Sequence, residues 1–138
     1  DFSEIGGDCT NFASQCVYAG GGVMNFTKTF GWYYISVNDR APSWTGGEYF
    51  YNFMVRTTGG PGPVMKVAPL SEILPGDVIQ LKFERDVFQH SPVVVAVGRN
   101  PTPENILVAA HTYDADNRPL STYQYSEMRP LHVLGVRK

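Results

Sequence analysis

This chain of 138 residues has two cysteines, three histidines, no block of like charge and no long apolar run. Each scarcity excludes a class of protein. On one helix, Cys9 and Cys16 would lie about 10 Å apart at a rise of about 1.5 Å per residue. That exceeds the roughly 4.4–6.8 Å that a disulfide spans, and two cysteines alone cannot build a structural zinc site. The chain is not stapled through sulfur. Lys plus Arg number 11 against 13 Asp plus Glu, for a formal charge of −2. Without a basic run, a nucleic-acid partner is not expected. The longest apolar stretches, such as "SPVVVAV", fall far short of the roughly 20 residues of a membrane span, so membrane insertion is not expected either. No signal peptide is visible, and the chain begins at Asp1 rather than Met, as a processed or trimmed piece would.

What is present is enough apolar surface for one domain with its own core: 43% of the residues are hydrophobic and 13% aromatic. Small or apolar residues at Cys9, Phe12, Ala13, Cys16, Val17 and Gly20 follow the spacing of one helix face. The pattern predicts a helix over 9–19, N-capped by Asp8 and stopped by "GGG" at 20–22. "GWYYIS" is a strand candidate, and a short helix is expected from Gly46 to about Val55, ended by "GGPGP". "PLSEILPGDVIQLKF" reads as a helical turn, a Pro-Gly turn and a strand. "HSPVVVAVG" and "NILVAAHTY" read as an antiparallel hairpin across a proline-containing loop, and "LHVLGV" as a closing strand. One helix followed by a run of strands is an α+β arrangement.

The candidate chemistry centres on "GGDCTNFASQC". Cys9 stands where a helix N-terminus offers unpaired N–H groups and a favourable dipole to an anion, and a cysteine attacks as its thiolate. The same N–H groups suit an oxyanion. The usual bases on offer are His90, His111 and His132. A hairpin loop centred between Asn100 and Pro101 would set His90 directly opposite His111, one as base and the other orienting its ring. A slip of one residue would put Thr112 opposite His90 and make Asp114 the better orienting group.

"GDCTNFASQC", then "LPGDVIQL", "HSPVVVAV" and "AAHTYDADNRPL", in that order over residues 6–136, resemble the bacterial putative amidase domain family. That family is similar to the papain-like NlpC/P60 and CHAP cell-wall hydrolases. The resemblance implies a papain-like fold of the NlpC/P60 type, with a helix carrying Cys9 packed on an antiparallel sheet. It also implies His90 on the sheet and a polar third residue matching His111. The activity implied is cysteine-dependent hydrolysis of an amide bond through a thioester. The expected substrate is peptide or peptidoglycan at the bacterial cell envelope, the location extracytoplasmic or secreted, and the enzyme a monomer without metal or organic cofactor. Similar domains carry a helical segment upstream of the cysteine, so residues 1–138 are expected to form a single domain lacking that segment.

Other readings of the same residues stay open at this stage. A non-catalytic cell-wall binding module could keep the fold without the chemistry, and an acyltransferase would resolve the thioester with an amine or alcohol. A three-histidine zinc site lacks the usual short ligand pairs. Cys16, inside the apolar stripe, and His132, in "PLHVLGV", are read as structural. Asp77 is read as turn chemistry, and Trp44 and Tyr49 as core aromatics or as the wall of a cleft.

Overall fold

The computed structural model describes residues 8–110 and 115–138, the side chains of Asp8 and Ala115 excepted. The expected first helix is α1, Asp8–Gly21. It starts at Asp8 itself, so the residue expected as its cap is its first turn, a difference of the size helix ends usually show. It stops where Gly22 takes a left-handed φ of 71° and its N–H closes on the Tyr18 carbonyl at 2.7 Å, a conformation glycine adopts without penalty. Ala13 and Val17 are buried as expected. Thr10 and Ser14 of the same helix are also fully buried, which apolar periodicity cannot flag.

A small ribbon follows, β1 (Tyr34–Ser36) with β2 (Asp39–Arg40), then two short helices, α2 (Pro42–Thr45) and α3 (Gly47–Tyr51). The expected helix after Gly46 thus forms, continued by a wide turn over Asn52–Arg56. Ser14 ties this region to α1: its Oγ donates to the Trp44 carbonyl at 3.0 Å and accepts from Trp32 Nε1 at 3.1 Å. The rings of Trp32 and Trp44 lie 4.8 Å apart beneath.

The remaining strands form one antiparallel sheet: β3 (Gly62–Val67), β4 (Val78–Lys82), β5 (Phe88–His90), β6 (Val93–Val97), β7 (Ile106–Ala110), β8 (Ala115–Pro119) and β9 (Glu127–Arg137). Their order is β3-β9-β4-β6-β7-β8, with β5 also on β4. The protein is therefore α+β, an N-terminal helix against an antiparallel sheet. The closing strand is longer than "LHVLGV" and central, paired with β3 on one side and β4 on the other. The sheet is covered on both faces. Val78, Val93 and Leu131 join Ala13, Val17 and the tryptophans on one side, while Ile79, Leu81, Val94, Ile106 and Val108 meet Leu120 on the other. Burial on both faces explains why "VIQL" shows no polar alternation. No described helix is long and apolar enough to cross a membrane.

The expected hairpin exists, but in a different register. Val93 pairs with Ala109 rather than Val108, and a bulge between Val94 and Ala96 then sets Ala96 against Leu107. Over Val93 and Val94 this is the register slipped by one residue. His90 itself belongs to β5 and pairs with Leu81 of β4.

Leu131, fully buried between β3 and β4, should cost about 2–5 kcal/mol when cut to alanine, because both the transfer term and the cavity count against it. Leu134 on the same strand, 57% exposed, should cost within about 0.5 kcal/mol. Urea denaturation of the two variants checks the difference.

Candidate active site

Strands β5 and β6 lie along one edge of β4 in a common register, Leu81 facing His90 and Val78 facing Val93. Between them lie Ser91 and Pro92; the Pro92 carbonyl still accepts from the Ile79 N–H of β4 at 3.0 Å, but proline has no N–H to return. Alternate amides of an antiparallel strand point to opposite edges. The Val94 N–H goes to the Asp77 carbonyl at 2.8 Å, so that of Ser91 points away from β4. It meets the Cys9 sulfur at 3.2 Å. The thiol at the start of α1 is thus seated against the peptide that joins His90 to Ser91, and Cys9 is only 1% exposed.

A chain of buried polar groups fixes that peptide. Ser91 Oγ shares a hydrogen bond with Thr10 Oγ1 at 3.2 Å and accepts another from Gln80 Nε2 at 3.2 Å. Gln80 also donates to the Gly47 carbonyl at 2.9 Å, and its Oε1 accepts from Arg129 Nε at 2.9 Å. The Arg129 guanidinium lies between the rings of Tyr51 and Phe88, 3.7 and 4.1 Å from their centroids, and donates to Glu48 at 3.2 Å. Glu48 in turn accepts from the Phe88 N–H. A side chain on Gly47 would strike the Phe88 carbonyl, so glycine is what lets α3 approach β5 this closely. Helices α1 and α3 and strands β4, β5 and β9 all contribute to holding the two residues on which the sequence reading rests. Gln80 and Arg129 were not foreseen. The signal for Gln80 is a polar residue inside an otherwise apolar strand, whereas Arg129, in "EMRP", carries no such signal.

The His90 ring meets Phe83 edge-on, with centroids 4.8 Å apart, and is half-buried. Burial pushes its pKa below the ordinary 6.5, which favours the neutral imidazole that a general base requires. The ring lines a cavity of about 500 Å³ that Arg85, Arg118 and Tyr123 also line. Burial raises the Tyr123 phenol first of all, Arg118 opposes that shift, and negative charge at Cys9 adds to it, so phenol and thiol lie within electrostatic reach of each other.

The other named residues sit elsewhere. Cys16 opens onto a separate cavity of about 310 Å³, and burial pushes its thiol up, toward the unreactive form. His132 borders that cavity, its Nδ1 2.7 Å from Asp77 Oδ2. Asp77 is thus more than turn chemistry: its carboxylate also accepts from the Leu74 and Val133 amides at 2.8 Å each. That pair joins residues 55 positions apart, which no local pattern reveals. Trp44 is core, and Tyr49 is 54% exposed. His111 and Asp114 lie outside the described residues. Among the described residues no cluster of three metal-ligating side chains forms.

Comparison with known proteins gives two matches. The model of a family described as a putative amidase domain matches residues 1–134. The uncharacterized protein YhbB of Bacillus subtilis (strain 168) is 34% identical over 120 residues, 85% of this chain, and the chain spans 37% of that protein's length. No solved structure matches.

The lowered pKa of His90 fixes the sign of a pH effect. The unfolded chain takes up this proton more readily than the folded one, so the stability tied to His90 is fully present above 6.5. It is lost as pH falls from 6.5 through the depressed folded value. Urea midpoints at pH 7.5 and pH 5 should therefore fall more steeply on acidification for the native chain than for His90→Gln; equal slopes would contradict the assignment.

Proposed function

This chain belongs to the family of putative amidase domains, and from that premise we propose that it hydrolyses an amide bond with Cys9 as nucleophile and His90 as base. The family points to amide hydrolysis in general. The observation that carries the cysteine mechanism is the seating of the Cys9 sulfur against the His90–Ser91 peptide. An N–H donor favours a thiolate over a thiol, and the start of α1 adds its own dipole.

In this reading His90 takes the thiol proton and Cys9 Sγ attacks the carbonyl carbon. The oxyanion that forms is met by amides at the start of α1. His90 returns its proton to the leaving amine as the C–N bond breaks. Neutral again, it draws a proton from water, which hydrolyses the thioester and restores the thiol. The third position belongs to His111 by family resemblance, with Asp114 the alternative that the slipped hairpin register favours. The fold is then of the papain-like type. The substrate is peptide of the bacterial cell wall, reached by an extracytoplasmic enzyme acting as a monomer; the support for this is the likeness of the sequence motifs to cell-wall hydrolases. A second reading, a non-catalytic module of the same fold, draws on the near-complete burial of Cys9.

Cys9→Ala should abolish hydrolysis of cell-wall peptide in a chain that still folds, at a cost of about 1–3 kcal/mol in urea denaturation because the Ser91 N–H loses its acceptor. Cys16→Ala should keep activity and cost on the order of 1 kcal/mol. An inactive but well-folded Cys16→Ala would sink the assignment.

For the third position, His111→Asn should retain measurable kcat, because asparagine still offers an acceptor to the His90 ring, and His111→Ala should lose substantially more. If Asp114→Ala is as damaging as Cys9→Ala while His111→Ala is nearly normal, the role passes to Asp114.

A further inference from the structure

Three of the cations pair with carboxylates. Lys66 pairs with Glu72 at 2.7 Å, Lys82 with Glu127 at 2.8 Å, and Arg129 with Glu48 at 3.2 Å. The two arginines on the cavity beside His90 are held by neutral groups instead. Among the described residues neither Arg85 nor Arg118 makes an ion pair, in a chain whose acidic residues outnumber its basic ones. Both are nonetheless held in place. Arg118 stacks 3.7 Å over the Tyr123 ring and donates from Nε to Thr122 Oγ1 at 2.7 Å and from Nη2 to the Thr122 carbonyl at 3.0 Å. With the Gln89 amide oxygen turned toward it, Arg85 donates from Nε at 3.1 Å and from Nη1 at 3.2 Å.

A guanidinium fixed by neutral partners keeps its full charge and loses little freedom when a ligand arrives. Two of them on one cavity wall, within a side chain's reach of the candidate base, form a receptor for a planar anion. We infer that the cavity lined by His90, Arg85 and Arg118 is a substrate subsite that binds a carboxylate close to the scissile amide. The inference rests on the proposed amide hydrolysis at Cys9 and narrows its substrate to amides of acidic or free-carboxylate residues. Glu84 borders the same cavity with the opposite sign, and it forms no ion pair with either arginine among the described residues. It sets an upper limit on how strongly the site attracts anions.

Two alkylating agents of the same size test this without knowledge of the substrate. Iodoacetate is a carboxylate and iodoacetamide is neutral. The rate of each with Cys9 is followed at pH 7.5 by intact mass and peptide mapping, which separates Cys9 from Cys16. Each rate is divided by that of the same reagent with N-acetylcysteine. The native chain should prefer iodoacetate by about tenfold on this scale, and about 1 M NaCl should reduce the preference. Arg85→Gln should lose part of it, and Arg85→Gln with Arg118→Gln nearly all of it, with the iodoacetamide rate within about twofold of native. Arg118→Lys should keep most of it, and Glu84→Gln should raise it. Arg85 is exposed, so its variant remains informative if the double variant unfolds. Rapid alkylation by iodoacetamide with no preference for iodoacetate overturns the subsite and leaves the cysteine mechanism standing. So does an iodoacetate preference that survives both arginine substitutions. Resistance of Cys9 to both reagents overturns both readings.

Discussion

The amide of Ser91 is where helix and sheet are joined. An antiparallel strand normally spends alternate N–H groups on its two neighbours. Here, between β5 and β6, Pro92 accepts from β4 but has no N–H to return, and the Ser91 N–H that would serve a further strand goes to a sulfur on α1 instead. A buried amide without a partner costs about as much as a lost hydrogen bond. The helix start and the strand break therefore fix one another, and the position of Cys9 relative to His90 follows from backbone geometry rather than from flexible side chains.

That junction is polar, and the structure holds it in a low-dielectric interior only by satisfying it fully. Thr10, Ser91 and Gln80 are completely buried, yet among the described residues no buried side-chain nitrogen or oxygen lacks a partner. The chain of contacts ends at Arg129, whose charge is spread over two aromatic faces and one carboxylate near the surface. A complete network of this kind rigidifies the groups it connects, whereas a gap anywhere along it leaves an uncompensated dipole inside. It also ties α3 to β5, so the strand that carries His90 is braced from the helical side as well as from β4.

The two thiols show how environment separates identical groups. Cys9 receives an N–H from the sheet, while Cys16, two turns along the same helix, sits among apolar side chains where burial keeps it protonated. The histidines divide in the same way. His132 is bound to a buried carboxylate that also caps two backbone amides, an arrangement that locks the middle of β9 to the turn before β4. His90 faces a cavity, with an aromatic edge as its described contact.

Sequence alone determined what depends on neighbours a few residues apart. The span of α1, the turn before "DVIQL", the strand character of "PVVVAV" and "ILVAA" and the α+β order all follow from periodicity and turn chemistry, because these patterns reflect local backbone geometry. The family motifs singled out Cys9 and His90 for the same reason: each stands at the edge of an element whose limits are written nearby. Tertiary structure decided everything set by pairing across long separations. The hairpin register moved by one residue, since loop composition does not fix where a ladder begins and a bulge resets it partway. The partnership of His132 with Asp77, the central place of β9, and the line from Thr10 through Gln80 to Arg129 each join segments tens of residues apart. Their energies depend on burial and on direct contact between polar groups, quantities that exist only once the chain has folded.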